Sequence, residues 1–293
     1  MQEVDDFLAY LAGDRGYSVQ TLETYRGALE DFGNYFRSLD STLGWNSLDA
    51  DVVRRWIALQ MGSGCTGRTM AKKLSALRSF FRYRLRMGQI EVNPVSLVKN
   101  PKVVRKLPTF IREGEMDKLF DEVQFPDDYV GHRDYCMLLT FYSTGIRVSE
   151  LIGLDVQDVD LSRGELKVTG KRNKQRIVPF GKELADVMRA YIESRSVLHP
   201  STQALFLNTR KVRISYTAIR KVVEFYLSLV TTQKKKSPHV LRHTFATMML
   251  NHGADLEAIK ELLGHESIST TEVYTHTTFA ELQKEYEQAH PRA

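Results

Sequence analysis

Cysteine is nearly absent, with Cys65 and Cys136 the only two among 293 residues. They do not form a pair at metal-ligand spacing, which excludes a zinc ribbon and a disulfide framework as organising devices. Cys136, inside Tyr135-Cys136-Met137-Leu138-Leu139, reads as an ordinary buried thiol. Long apolar runs are missing too; nothing approaches the ~18 continuous apolar residues that suggest a spanning helix. The acidic start, Met1-Gln2-Glu3-Val4-Asp5-Asp6, lacks the positive charge and apolar run of a secretion signal. A reducing cytoplasm is the expected setting, with no membrane partner. There is no internal repeat.

Acidic residues are scarce in one stretch. Residues 54–106 hold thirteen basic residues and one acidic residue, Glu91, whereas residues 1–53 hold three basic and ten acidic ones. The net charge of the whole chain is only +5, so the distribution says more than the total. A concentrated positive stretch suits a polyanion such as nucleic acid, with affinity falling as salt rises. The plainer reading is a solvated helix face.

Hydrophobic residues make up 42% of the chain, enough for substantial cores. Residues 1–93 read as a helical domain, with helices at about 3–13, 19–38, 49–61 and 66–87 from apolar spacings of three and four. In the second, Leu22, Tyr25, Leu29, Phe32 and Phe36 form the stripe. In the fourth, Met70, Leu74, Leu77, Phe80 and Phe81 do so. Between the latter fall Arg68, Lys72, Lys73, Arg78, Arg82, Arg84 and Arg86, long enough to reach phosphates. Asn93-Pro94 ends the helical pattern, and residues 94–108, with Lys99, Lys102, Arg105 and Lys106, read as an extended basic linker.

Residues 109–293 read as a second domain, mixed α/β. Helices are expected near 113–123, 131–144 and 148–154. Two antiparallel strands follow at 165–169 and 175–179, joined by a turn at 170–174. Helical periodicity returns through Leu184, Val187, Met188, Tyr191 and Ile192, then near 215–228, 238–251, 256–263 and 270–275. The fold class is mainly α with a small antiparallel sheet.

The chemistry-bearing residues cluster late. In His239-Val240-Leu241-Arg242, Ser237 suits a helix cap and Pro238 its first turn, and the histidine and arginine share a face. An arginine can grip a phosphoryl group with two parallel contacts. Gly264-His265 ends the next helix, which Asp255 can cap. Ser269-Thr270-Thr271-Glu272 has capping-box spacing just before Val273-Tyr274-Thr275-His276. Arg147 follows Gly145 in a turn between helices, where bonds to local carbonyls or to Glu150 are the plainer role. Lys171 sits at the hairpin tip. Taken singly, each of these residues has an ordinary structural reading. No carboxylate cluster accompanies them, which argues against a two-metal nuclease.

Together, Thr144-Gly145-Ile146-Arg147-Val148-Ser149-Glu150-Leu151, Gly170-Lys171, His239-Val240-Leu241-Arg242-His243-Thr244-Phe245-Ala246-Thr247, Leu262-Leu263-Gly264-His265 and the segment around Tyr274 resemble the motifs of the tyrosine site-specific recombinases. Within that family they look most like the bacterial Xer group, its XerC branch more than its XerD branch. The resemblance implies a core-binding N-terminal domain and a catalytic domain whose tail docks on a neighbouring protomer, through an apolar stripe of Leu282, Tyr286 and Ala289. Packing within its own domain is the alternative for that stripe.

The resemblance also assigns Arg147, Lys171, His239, Arg242 and His265 around a scissile phosphate that Tyr274 attacks, giving a 3′-phosphotyrosine and needing no cofactor. Arg172 departs from the Gly-Lys-Gly common at the matching hairpin. The implied partners are a double-stranded recombination site, further recombinase protomers or a paired XerD-like recombinase in a tetramer, and a DNA translocase. Chromosome dimer resolution is the expected role. The alternatives are a mobile-element integrase or invertase, a type IB topoisomerase, and a noncatalytic architectural DNA-binding protein.

Overall fold

Caps and apolar stripes set the helices of the first unit. The computed structural model describes residues 2–103, 109–170, 173–264 and 279–293, and the chain divides into units Met1–Lys106 and Leu107–Ala293. Helices α1 (Gln2–Gly13), α2 (Val19–Leu39), α3 (Ala50–Gly62) and α4 (Gly67–Arg86) make up the first. Ser18, Asp49 and Thr66 stand at the N-caps of the last three, each side chain accepting from a backbone N–H one turn ahead. Their inner faces bring Phe7, Phe32, Trp56, Leu77, Phe80 and Phe81 into one core with no solvent exposure. Each such side chain contributes roughly 1.5–3 kcal/mol of burial. Trp56 meets Phe32 edge to face at 4.9 Å.

The segment expected to start a linker at residue 94 instead folds back. Val95 and Val98 are buried in the first core. A side chain at Gly67 would come within 2.6 Å of the Lys102 carbonyl, so the chain beyond Pro101 lies against the start of α4.

Helix α4 carries both engaged and free basic residues. Arg84, expected to reach a phosphate, is instead buried, bound to Glu3 at 2.8 Å, Asn46 at 2.6 Å and Gln89 at 3.1 Å. Lys73 is held by Asp31 and Gln60, and Arg78 by Asn100 and the Val98 carbonyl. Arg86 donates to the Tyr10 hydroxyl. Arg68, Lys72 and Arg82 remain exposed, without a partner among the described residues. At 3.6 residues per turn these three fall along one side of the helix, which Arg86 shares.

The second unit holds α5 (Glu113–Asp121), α6 (Tyr129–Thr144), α7 (Val148–Gly153), α8 (Lys182–Ser196), α9 (Tyr216–Val230), α10 (Pro238–Asn251), α11 (Leu256–Leu263) and α12 (Phe279–Ala289). Strands β1 (Val159–Asp160), β2 (Glu165–Thr169) and β3 (Gln175–Pro179) form an antiparallel sheet in the order β1-β2-β3. The β2–β3 pairing runs from Glu165 opposite Pro179 to Thr169 opposite Gln175. The two-residue β1 was too short to show in the alternation. Helix α6 is buried almost all round and packs against α8 and α10, so it is the spine of this unit.

Helix α12 takes the alternative the sequence left open. Leu282, Tyr286 and Ala289 are buried in the unit's own core, beside α10, α11 and β3. Arg292 fastens the end, donating to Glu183 at 2.6 Å and to both oxygens of Asp121 at 2.7 Å. Among the described residues no helix is long and apolar enough to cross a membrane.

Candidate active site

The C-terminal end of α11 organises the site. The last carbonyls of a helix have no partner within it, and the helix dipole makes that end partly negative. Three successive carbonyls there each accept from a different arginine. Arg176 Nε donates to Leu262 O at 2.9 Å, Arg242 Nη2 to Leu263 O at 2.6 Å, and Arg147 Nη2 to Gly264 O at 2.8 Å. Arg147 comes from the N-cap of α7, Arg176 from β3 and Arg242 from the second turn of α10, so one helix end gathers three elements.

Two glycines make this possible. Gly264 closes α11 at φ +62°, and a Cβ there would press to 3.0–3.2 Å from the Arg176 guanidinium. Gly145 closes α6 at φ +58°; a Cβ would collide with Phe245, and its carbonyl accepts from Arg242 Nη1 at 2.8 Å. Positive φ is a conformation side chains resist, so both turns favour glycine.

One buried carboxylate serves the cluster. Glu150 Oε1 accepts from Arg147 Nη1 and from Arg176 Nη1, each at 2.8 Å. Its Oε2 accepts from Arg176 Nη2 at 3.0 Å and from the Arg147 backbone N–H at 2.7 Å. Burial alone would raise this carboxyl, but the bonds and charge of Arg176 and Arg147 outweigh it and hold it below the usual carboxylate range. Three guanidiniums against one carboxylate leave positive charge unmatched among the described residues. Arg242 registers that excess: burial first, then repulsion from Arg147 and Arg176, bring it down to about 10.

The remaining expected residues fall in different places. His239, at the second position of α10, is exposed, with His243 one turn on. Burial, then the charges of His239 and Arg242, lower His243. Pro238 occupies the first turn as expected. Ser237 stands at the N-cap, but its side chain makes no capping bond, which corrects the sequence reading. Asp255 caps α11 as expected, accepting from Glu257 N and Ala258 N. Lys171, His265, Tyr274 and the proposed helix at 270–275 lie outside the described residues. The residues bonded to the first two, Gly170 and Gly264, both border the cluster. A Cβ on Gly170 would sit 3.3 Å from Glu150 Oε1.

Arg147 thus makes the bond to Glu150 given as its plainer role, but the carbonyl it reaches, Gly264 O, is remote in the chain rather than local. What the sequence reading missed is Arg176. The available signal was register: Arg176 pairs with Val168 and shares a strand face with Val178, both buried, so a charge stands on the inward face.

Among known proteins, the phage integrase family matches residues 109–281, and the N-terminal SAM-like domain of phage integrases matches residues 4–88. The chain is 40% identical over 303 residues to the tyrosine recombinase XerC of Pelotomaculum thermopropionicum, spanning 99% of this chain and 98% of that protein. It is 39% identical over 294 residues to XerC of Thermodesulfovibrio yellowstonii, spanning 98% and 96%. Of solved structures, the XerA recombinase is 27% identical with a TM-score of 0.50, covering 100% of this chain and 99% of that one. The XerH recombinase in a post-cleavage complex with a palindromic difH substrate shares the fold at 23% identity and a TM-score of 0.73, covering 92% and 80%. The chain belongs to the phage integrase family, as a tyrosine recombinase of the Xer group.

Proposed function

We propose that Arg147 and Arg242, gathered at the end of α11, hold a DNA phosphodiester for attack by Tyr274, and that the chain resolves chromosome dimers with this chemistry. The excess of guanidinium over carboxylate carries the reading. A dianionic transition state supplies the charge that the protein around the cluster leaves unmatched. In the reaction, Tyr274 Oη bonds to phosphorus and the bond from phosphorus to the 5′-oxygen breaks. The phenolic proton passes to His239, and Lys171 gives a proton to the leaving 5′-oxygen. Arg147, Arg242 and His265 stabilise charge on the nonbridging oxygens. A partner strand's 5′-hydroxyl then attacks the 3′-phosphotyrosine and restores tyrosine. Phosphoester bonding is kept throughout, so no nucleotide cofactor is called for.

Arg68, Lys72 and Arg82 supply phosphate contacts from the first unit. Two duplexes and four protomers, some of them an XerD-like partner, complete the assembly, with a DNA translocase as a further partner in the cytoplasm. Exchange of the tail between protomers requires that α12 leave the cis site it occupies here.

The test incubates the chain with randomly nicked chromosomal DNA of its host, traps covalent complexes with denaturant, and sequences the linked ends. We expect ends converging on a few chromosomal sites. Tyr274→Phe is expected to abolish the adduct while DNA binding persists, because packing is nearly conserved and only the nucleophile is lost. Adduct formation by that variant at the normal rate would overturn the assignment.

A further inference from the structure

Arg176 is the member of the arginine cluster to which neither motif nor resemblance gives a part. We propose that Arg176 is a positioning residue for strand cleavage, tying β3, Glu150 and the end of α11 into one rigid support for Arg147. The inference rests on the phosphate-clamp reading above and adds a residue to it.

Three observations carry it. The Arg176 guanidinium uses all three of its nitrogens on the protein: Nε on Leu262 O, Nη1 and Nη2 on the two oxygens of Glu150. Arg147 and Arg242 each keep Nε without a bond among the described residues, so they have donors to turn on a ligand and Arg176 has fewer. Glu150, in turn, touches Arg147 twice, through its side chain and through its backbone N–H. Arg176 therefore reaches Arg147 through one intermediary, and the Gly264 turn through another.

The arrangement also suits arginine alone. A planar fork can hold both oxygens of one carboxylate and still direct Nε elsewhere, whereas lysine offers a single nitrogen. The support spans the two ends from which the chain runs on to Lys171 and to His265. Gly170 approaches Glu150, and Gly264 approaches Arg176 itself, each so closely that an added Cβ would sit at 3.0–3.3 Å. Hairpin and α11 terminus are thereby referred to the same guanidinium–carboxylate pair.

The charged groups facing Glu150 are Arg147 from the cap of its own helix, Arg176 from β3 and, more distantly, Arg242 from α10. Removing Arg176 takes away the largest of the influences that oppose burial. The carboxyl then titrates higher, and its neutral form releases Arg147 as pH falls.

The experiment compares full-length wild type, Arg176→Gln and Arg176→Lys on the nicked chromosomal DNA used above. It follows the initial rate of covalent adduct from pH 8 to pH 5.5, noncovalent affinity for the same DNA, and the melting transition. We expect Arg176→Gln to bind DNA within about twofold of wild type and to form adduct on the order of 10–100-fold more slowly, the range seen when a group supporting a reactive ligand is removed. Its rate should fall further relative to wild type as pH drops, an acid limb that mere loss of packing does not create. Arg176→Lys should recover the flat pH dependence but not the full rate. Should Arg176→Gln fail to fold, Arg176→Lys carries the test through its rate. An adduct rate within twofold of wild type at every pH, in either folded variant, overturns the proposal and leaves the phosphate clamp standing. Absence of adduct from the wild type itself overturns both.

Discussion

Arg84 in the first unit and Arg242 in the second are both buried, and they are held in opposite ways. Arg84 in the first unit is 2% exposed and Arg242 in the second is 8% exposed, so both guanidiniums have lost most of their water. Arg84 faces a carboxylate, Glu3, two side-chain amide oxygens, and the ring of Phe80. Arg242 bonds only to carbonyls; Arg147 and Arg176 repel it, and Glu150, already shared by those two, is the opposing charge it feels. A buried charge is tolerated when paired and hydrogen-bonded. Arg84 has its charge matched by Glu3 within its own unit, with Nη1 alone left unbonded. Arg242 satisfies the hydrogen bonds but not the charge, which suits a site completed by an anion. The number of arginines therefore says less about DNA chemistry than the partners each one already has.

Exchange of these two residues' roles would break the comparison most sharply. Arg242→Ala is expected to slow covalent adduct formation on the order of 10²–10³-fold, the usual effect of deleting one donor to a developing oxyanion. Arg84→Met keeps the aliphatic stem in place, and the stranded Glu3 is half exposed and can take up water. It should lower stability by about 1–3 kcal/mol and leave the adduct rate of the folded fraction intact. Single-turnover trapping alongside melting curves decides the matter. Equal rate losses in the two variants would erase the distinction.

A second contrast lies within α4, between its free basic residues and its engaged ones. Neutralising Arg68, Lys72 and Arg82 together should weaken DNA binding and flatten its dependence on salt, by roughly 0.9 in the log–log slope for each phosphate that is no longer neutralised. Neutralising Lys73 should cost the Asp31 bridge and leave the slope alone. Titrations at several salt concentrations measure both. A slope change for Lys73→Gln equal to that of the triple variant would mean that the bridges seen here open on DNA.

Much of this was legible in the sequence, for identifiable reasons. The stripes of α2 and α4 recur every three or four residues, and Asp255, Pro238, Gly145 and Gly264 punctuate helices by local rules that need no tertiary information. What periodicity cannot supply is partnership across the fold. Arg84 looked like its neighbours Arg82 and Arg86 because the residues that bury it, Glu3 and Asn46, are remote in the chain. Arg176 passed as a strand residue because its partners, Glu150 and Leu262, lie on two other elements. Val95 and Val98 follow a proline and carry no helical period, so their burial could not be read from spacing. The stripe of α12 was visible, but a stripe does not say which core it enters.

Acid offers the gentlest test, because the two units differ completely in histidine: all eight lie after residue 106. His290 is the most consequential among those described. It is buried at 4% exposure, donates from Nε2 to the Tyr142 carbonyl at 3.2 Å, and accepts at Nδ1 from the Arg292 N–H at 3.1 Å. The second bond requires the neutral ring, whereas a charged ring would keep the first. Burial first, then the charges of Arg292 and His252, bring it down to about 4 against the opposing bond to Tyr142. An unfolded histidine takes up its proton near 6.5, so between those values the unfolded chain binds more protons and stability drains as pH falls. By pH 6 the loss from this residue is roughly 1 kcal/mol. Hydrogen exchange on the full chain should show α12 losing protection between pH 7.5 and pH 6, after correction for intrinsic rates, while α1–α4 do not follow. In His290→Gln the pH dependence of α12 should flatten. Parallel curves for wild type and variant would show that the tail is held by Arg292 and the apolar stripe alone, and that the neutral ring adds nothing to its grip.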